Sequence, residues 1–195
     1  MKRLLLVTSP PACGKTYVSK QLSKAIHNIV YLDKDTLIPL SLQIYKAAGE
    51  PVDRSSKFFE DMVRNPEYVV IENLAYEALE YADLVLINAP FTREIRNPEW
   101  MNETMAKLEK IGAKLTVIWV NTSVEVCHQR MIERNSDRDT WKLEHWDEYV
   151  AGRDYSIPNI LQDPDCNGEL IVFNNNSTEE FNESIAKITK YLTEE

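Results

Sequence analysis

Ser9-Pro10-Pro11-Ala12-Cys13-Gly14-Lys15-Thr16 is the stretch of this 195-residue chain whose residue types are most suited to chemistry. It joins an apolar strand-like run to a helix-period run and comes close to the spacing G-x-x-x-x-G-K-[ST]. In that setting backbone N–H groups and the positive end of the helix wrap phosphate oxygens. Gly14 permits close backbone approach, Lys15 reaches β- and γ-phosphates, and the Thr16 hydroxyl can ligate Mg²⁺. Ser9, Ala12, Cys13 and Tyr17 complete the expected nucleotide-binding stretch. Ser9 stands where the pattern has its first glycine, so the exit from the strand needs a different turn, which Pro10-Pro11 can stiffen. The competing reading is an ordinary strand-to-helix turn that happens to spell Gly-Lys-Thr.

Other groups have types and spacing that fit phosphoryl chemistry. Asp33 and Asp35 end a second strand, the edge at which open α/β sheets face a ligand. They can bind Mg²⁺ or accept a proton from a hydroxyl, or one of them can simply cap the next helix. Asn88 ends a third apolar strand at a position where an acid is usual, and Arg93 and Arg96 come after it. These two arginines either clamp an anionic group or lie solvated. Arg130, Arg134 and Arg138 recur every four residues, so the first two share a helix face. Guanidinium forks match charge spread over a transferring phosphoryl group; the plainer alternative pairs them with Glu133 and Asp137. Asp53-Arg54-Ser55-Ser56-Lys57 offers polar groups to a substrate, or begins a helix capped by Asp53. Trp141, His145, Trp146 and Tyr149 form an aromatic stripe expected to pack on the body.

The elements that position these groups alternate between strand and helix, which predicts an α/β fold with a parallel sheet. Strands are expected at 3–8, 29–32, 84–89, 114–120 and 169–173, and the first helix at about 15–27. Residues 36–82 read as a helical, substrate-binding insertion in which Asn65-Pro66 starts a helix. Pro98 opens a helix running to 111 with Gly112 as its stop. Thr122/Glu125 reads as the capping box of a helix over 123–134, and 140–151 as a further helix, the two forming a lid region at about 123–152. Ser177/Glu180 is the capping box of a last helix that buries Phe181, Ile185, Ile188 and Leu192. The whole chain, 1–195, reads as one domain.

A formal net charge of −9 argues against extended nucleic-acid or anionic-membrane binding. No apolar run approaches a transmembrane length, and the short run before Pro10-Pro11 is no signal peptide. Three cysteines without metal-ligand spacing fit a reducing compartment, so a cytoplasmic location is expected.

The phosphate loop, the Asp33/Asp35 pair, Asn88-Ala89-Pro90-Phe91 and the later arginines together resemble the small-molecule P-loop kinases. That group takes in the AAA/zeta-toxin-like, shikimate, gluconate and nucleoside monophosphate kinases. The resemblance follows the order of elements over nearly the whole chain and is sharpest at the loop and the arginine helix. It implies a three-layer P-loop NTPase fold, Mg²⁺ and ATP as cofactors, and γ-phosphoryl transfer to a small-molecule acceptor. Carried onto this sequence, it places Asp33 with Thr16 at the metal and Asp35 as base toward the acceptor. Lys15, Arg130 and Arg134 become catalytic cations, and Arg54, Arg93 and Arg138 lie toward the substrate. Asn175, in the loop after the fifth strand, is placed at the nucleotide base. Two other readings stay open. Asn88 in place of the acid suits a nucleotide-dependent switch without an acceptor, and a kinase of nucleic-acid 5′ ends would need a basic channel.

Overall fold

A computed structural model describes residues 1–136, 139–159 and 168–194. The apolar runs become five parallel strands: β1 (Lys2–Thr8), β2 (Ile29–Asp33), β3 (Leu84–Asn88), β4 (Ala113–Asn121) and β5 (Glu169–Asn174). Their order in the sheet is β2-β3-β1-β4-β5, so β1 has a neighbour on each side. Successive side chains of a strand point to opposite faces, and β1 accordingly feeds two cores. Leu4 and Leu6 join one core with α3 (Asn65–Tyr81) and α4 (Pro98–Lys110). Leu5 and Val7 join a second core with α1 (Lys15–Ala25), α5 (Val124–Arg134) and α8 (Thr178–Glu194). Helices on both faces of an all-parallel sheet give the expected three layers. Register places Asp33 beside Asn88 and Asn88 beside Val7, so the carboxyl ends of β2, β3 and β1 meet at one edge. No helix of the described residues is long and apolar enough to cross a membrane.

Several local expectations are corrected. α3 begins at Asn65 with Pro66 in its first turn as expected, but Asn65 is not a cap: a π-helical segment, Phe59–Arg64, runs straight into it, and both Arg64 and Asn65 have right-handed helical backbone. Pro66 brings no N–H to the ladder, and the wider π turns before it lead into α3 without a break. Asp53 is not the cap either. Its Oδ1 accepts from Ser55 N–H at 2.8 Å, and Ser56 Oγ accepts from Phe59 N–H at 3.1 Å. At α5 the cap is Ser123, which accepts from Val126 N–H, because Thr122 is drawn away to the phosphate loop. Residues 140–151 form two helices, α6 (Thr140–Glu144) and α7 (Trp146–Ala151), which break at His145. There Trp141 stacks on His145 and stays half-exposed, whereas Trp146 stacks on His128 of α5 and Tyr149 is buried. Only part of the aromatic stripe therefore packs on the body. At α8, Ser177 Oγ accepts from Glu180 N–H as expected, while the Glu180 carboxylate accepts from Asn176 N–H.

The insertion is fastened to the sheet by a buried carboxylate. Glu67 on α3 accepts from Lys34 Nζ at 2.8 Å, Ser41 Oγ at 2.6 Å, and both terminal nitrogens of Arg54 at 2.9 and 2.8 Å. Lys34 opens the 3-10 turn after β2, and Ser41 lies on α2 (Ile38–Ala48), so one side chain ties three segments together. Lys34 and Glu67 are each only 4% exposed. Replacing Glu67 by Gln leaves the buried Lys34 ammonium without this counter-charge, and a loss of about 3 kcal/mol or more of stability is expected. Urea unfolding of the variant checks it. Burial works to raise the Glu67 pKa, but the bonds from Arg54, Lys34 and Ser41 outweigh it and hold the value at about 2 against an ordinary 4.5. Its contribution is therefore full above pH 4.5 and fades as pH falls toward 2. The Gln variant should show a shallower acid dependence.

Candidate active site

The phosphate loop leaves β1 through buried Ser9, whose hydroxyl donates to Pro10 C=O at 3.0 Å. Ala12 (φ 67°) and Gly14 (φ 90°) both take left-handed backbone, which turns the chain back over the start of α1. Side chains from the neighbouring junctions hold this curve at a single carbonyl. Cys13 C=O accepts from Asn175 Nδ2 at 2.7 Å, Thr122 Oγ1 at 3.1 Å and Arg130 Nη1 at 3.3 Å. Arg130 also donates to Asn175 C=O at 2.7 Å. Gly14 at the N-cap of α1 has no side chain to bond its N–H groups and the first turn carries no acid, so these N–H groups suit an anion from solution. A Cβ on Gly14 would lie 2.5 Å from Asn175 Nδ2. Gly14→Ala combines that clash with a strained φ worth about 1–2 kcal/mol by itself. Nucleotide affinity should fall at least tenfold, a change of about 1.4 kcal/mol, as read by calorimetric titration.

Across the loop, Asn88 is the hub. Its Oδ1 accepts from Lys15 Nζ at 3.2 Å, and its Nδ2 donates to Asp33 Oδ2 at 3.0 Å and to Thr16 Oγ1 at 3.3 Å. Tyr31 OH donates to the same Asp33 oxygen at 2.7 Å. Asp33 Oδ1 meanwhile accepts from Asp35 N–H at 3.0 Å, so Asp33 faces the site and caps the turn after β2 at the same time. Burial pushes the Asp33 pKa up, but the bonds from Tyr31, Asn88 and Asp35 N–H prevail and hold it below the usual carboxylate range. Burial lowers the Lys15 ammonium from its ordinary value, while Asp35 and Asp33 pull it the other way. Thr16 and Asp33 offer two oxygens converging on one amide. Mg²⁺ is commonly held by one or two carboxylates with a nucleotide's phosphates and water. That donor set fits, although the described residues contain no cluster of three acidic, His or Cys ligands.

Three cavities open along this edge. The cavity over the phosphate loop, about 560 Å³, is lined by Ser9, Ala12, Gly14–Tyr17, Asp35, Arg130, Arg134 and Lys142 among others. Beside it lies a cavity of about 370 Å³ whose walls include Lys15, Asp33, Lys34, Asp35, Arg54, Arg64, Tyr68 and Asn88. A third, about 310 Å³, continues past Pro90 toward Arg64, Arg93, Arg96 and Arg153. Arg93 shares this cavity with Ser9, Pro10 and Pro11 but is paired with Glu60 at 2.7 Å, and Arg54 is committed to Glu67. Arg134 forks onto Asp139, with Nε at 2.8 Å. Arg138 lies outside the described residues. On the far side of Arg130, a hollow of about 490 Å³ is formed by Gly14, Tyr17, Asn175–Thr178, Phe181 and Asn182. The Tyr17 ring sits 5.2 Å from Phe181 and is 59% exposed. Asn175 is 5% exposed and uses its amide N–H on the loop, so it holds the loop's shape.

Some participants have no sequence signal. Lys142 and Asp139 lie at the start of α6 in no recurring pattern, and Glu67 is one acid among many. Asn88 is visible as an oddity, but its bond to Lys15 requires β3 beside β1. Cys13 and Cys127 also meet only in three dimensions, with Sγ atoms 3.2 Å apart in the core under the loop.

A phosphate loop after the central strand of a parallel sheet, with helices on both faces, defines the P-loop NTPase class, in the form seen in small-molecule kinases. The chain belongs to the AAA domain family, whose model matches residues 4–154. The fold is shared with a candidate kinase of Chloroflexus aurantiacus at 18% identity and TM-score 0.66, covering 99% of this chain and 97% of that one. Shikimate kinase from Bacteroides thetaiotaomicron aligns at 15% identity and TM-score 0.51, covering 98% of each chain. A gluconokinase from Sinorhizobium meliloti 1021 aligns at 14% identity and TM-score 0.51, covering 98% of this chain and 95% of that one. No curated protein matches the sequence.

Proposed function

We propose that this protein is a kinase that transfers the γ-phosphoryl group of Mg·ATP to a small hydroxyl-bearing acceptor. The observation that carries this reading is the wall shared by two cavities. Lys15 and Asp35 line both the cavity over the phosphate loop and the one beneath the helical insertion. A donor phosphate held by Lys15 and an acceptor hydroxyl facing Asp35 would then lie next to each other, the placement in-line transfer needs.

Each residue's role comes from its surroundings. The loop N–H groups and Lys15 bind the β- and γ-phosphates. Arg130 and Arg134 spread positive charge over the phosphoryl oxygens as bonding to the leaving oxygen weakens. Asp35 accepts the proton of the attacking hydroxyl. Thr16 and Asp33 would hold Mg²⁺, which supplies charge neutralisation on the donor phosphates. Tyr17 and Phe181 offer flat surfaces to a nucleotide base. The acceptor side carries Arg153 beside four arginines already paired, Arg54 with Glu67, Arg64 with Glu94, Arg93 with Glu60 and Arg96 with Asp154. A negative charge on the acceptor would meet Arg153 or exchange with one of these carboxylates.

The test is ADP release from Mg·ATP in the presence of hydroxy acids, sugar phosphates and neutral sugars. Release that depends on one acceptor, from the anionic part of the panel, is the expected result. Slow release indifferent to every acceptor would favour the nucleotide-dependent switch, the reading that the neutral Asn88 keeps in play.

A further inference from the structure

We infer that Lys142 is a further catalytic residue, which grips the transferring phosphoryl group from the lid side, and that Asp139 is its positioning residue. This rests on the kinase reading above and adds a group that no motif marks.

Lys142 stands at the boundary between donor and acceptor. Lys15, Asp35, Pro90 and Lys142 line both the donor cavity and the acceptor cavity, whereas Arg130 and Arg134 line only the donor one. The charged groups at that boundary are Lys15, Asp35 and Lys142. Lys15 approaches that boundary from the loop and Asp35 from the end of β2, so Lys142 supplies the cation from the opposite, lid side.

Lys142 is also held in place. Asp139 is fully buried. One of its oxygens accepts from Lys142 Nζ at 2.8 Å and the other from Arg134. The Tyr149 ring lies 6.0 Å from the same ammonium. An ordinary surface pair of i, i+3 residues would be solvated at both ends. Here the carboxylate is enclosed, so the ammonium is fixed relative to α5 and α6. Among the described residues, two cations share this one carboxylate, which leaves positive charge in excess at the cavity wall. The ammonium has three donors and spends one on Asp139. The remaining two can meet phosphoryl oxygens, on which charge builds as transfer proceeds.

Calorimetric titration with Mg·ADP and with the Mg complex of β,γ-imido-ATP separates this role from general nucleotide binding. The wild-type protein is expected to prefer the triphosphate analogue. Lys142→Gln should lower that preference about tenfold, the size expected for a lost charge-assisted bond, and leave ADP affinity within about twofold. Lys142→Arg should restore most of the preference. Asp139→Asn should lower it without abolishing ADP binding, a split that a merely folded-state role would not produce. Should the wild type bind no ADP, the nucleotide reading itself falls and this inference falls with it. Should it bind ADP while Lys142→Gln keeps the full preference, or weakens both ligands equally, Lys142 does not grip the γ-phosphoryl group and the nucleotide reading stands alone. A wild type that binds both ligands equally well also overturns the inference.

Discussion

Lys15→Ala is expected to reduce phosphoryl transfer by about a thousandfold or more, since removing a single donor to developing charge already costs about 10²–10³. Its ammonium is held against Asn88 by one 3.2 Å bond, at the carboxyl end of β3 and facing the start of α1. Burial lowers its pKa in the nucleotide-free protein. A bound triphosphate would supply further opposite charge at the site, so binding and ionisation of Lys15 support each other. The fold loses little by the change, because the core beneath the loop is made by Leu5, Val7, Val18 and Leu22. Thermal melting within a few degrees of wild type, alongside lost turnover, is the pattern to look for. A variant with near-normal turnover would remove Lys15 from the mechanism.

Asp35→Asn should lower kcat by about 10²–10⁴, the range for general acid–base catalysis, with little change in the KM for ATP. The two carboxylates after β2 are unequal. Asp33 accepts three bonds, from Tyr31, Asn88 and the Asp35 N–H, and is committed to shaping the site. The Asp35 side chain is 64% exposed and has a 3.7 Å approach from Lys34, so it is open to an acceptor proton. The amide keeps the size and removes the basicity. Steady-state kinetics against both substrates gives the split. A matched loss in ATP affinity would instead place Asp35 on the metal side with Asp33.

The parts of this molecule that are legible in the sequence are those fixed by neighbours along the chain. Apolar runs such as Leu4–Val7 and Val117–Val120 announce strands buried on both faces. Gly14-Lys15-Thr16 announces its loop because strand, turn and helix are contiguous. Asp33 and Asp35 are legible as a pair, and their different surroundings are not, since those depend on which oxygen meets Asn88 across β3. Thr122 has the sequence signature of a cap, yet its hydroxyl bonds Cys13 C=O, 109 positions earlier in the chain. Asn65-Pro66 marks the start of α3, but the capped entry it suggests is replaced by the continuous π-helical path before it. Lys142, Asp139 and Glu67 acquire meaning only when α6 and α3 are brought to the sheet edge. Arg54 and Arg93 line the cavities beside the donor one, but their carboxylate partners Glu67 and Glu60 cannot be read from spacing.

The most direct test of the kinase reading uses γ-labelled ATP with Mg²⁺, a fractionated small-molecule extract, and the wild-type protein beside Lys15→Ala. Label is expected to appear in one fraction of small anionic compounds with the wild type and to be absent with the variant. Label released only as inorganic phosphate, unaffected by any fraction, would contradict that reading and leave a nucleotide-binding protein with no acceptor.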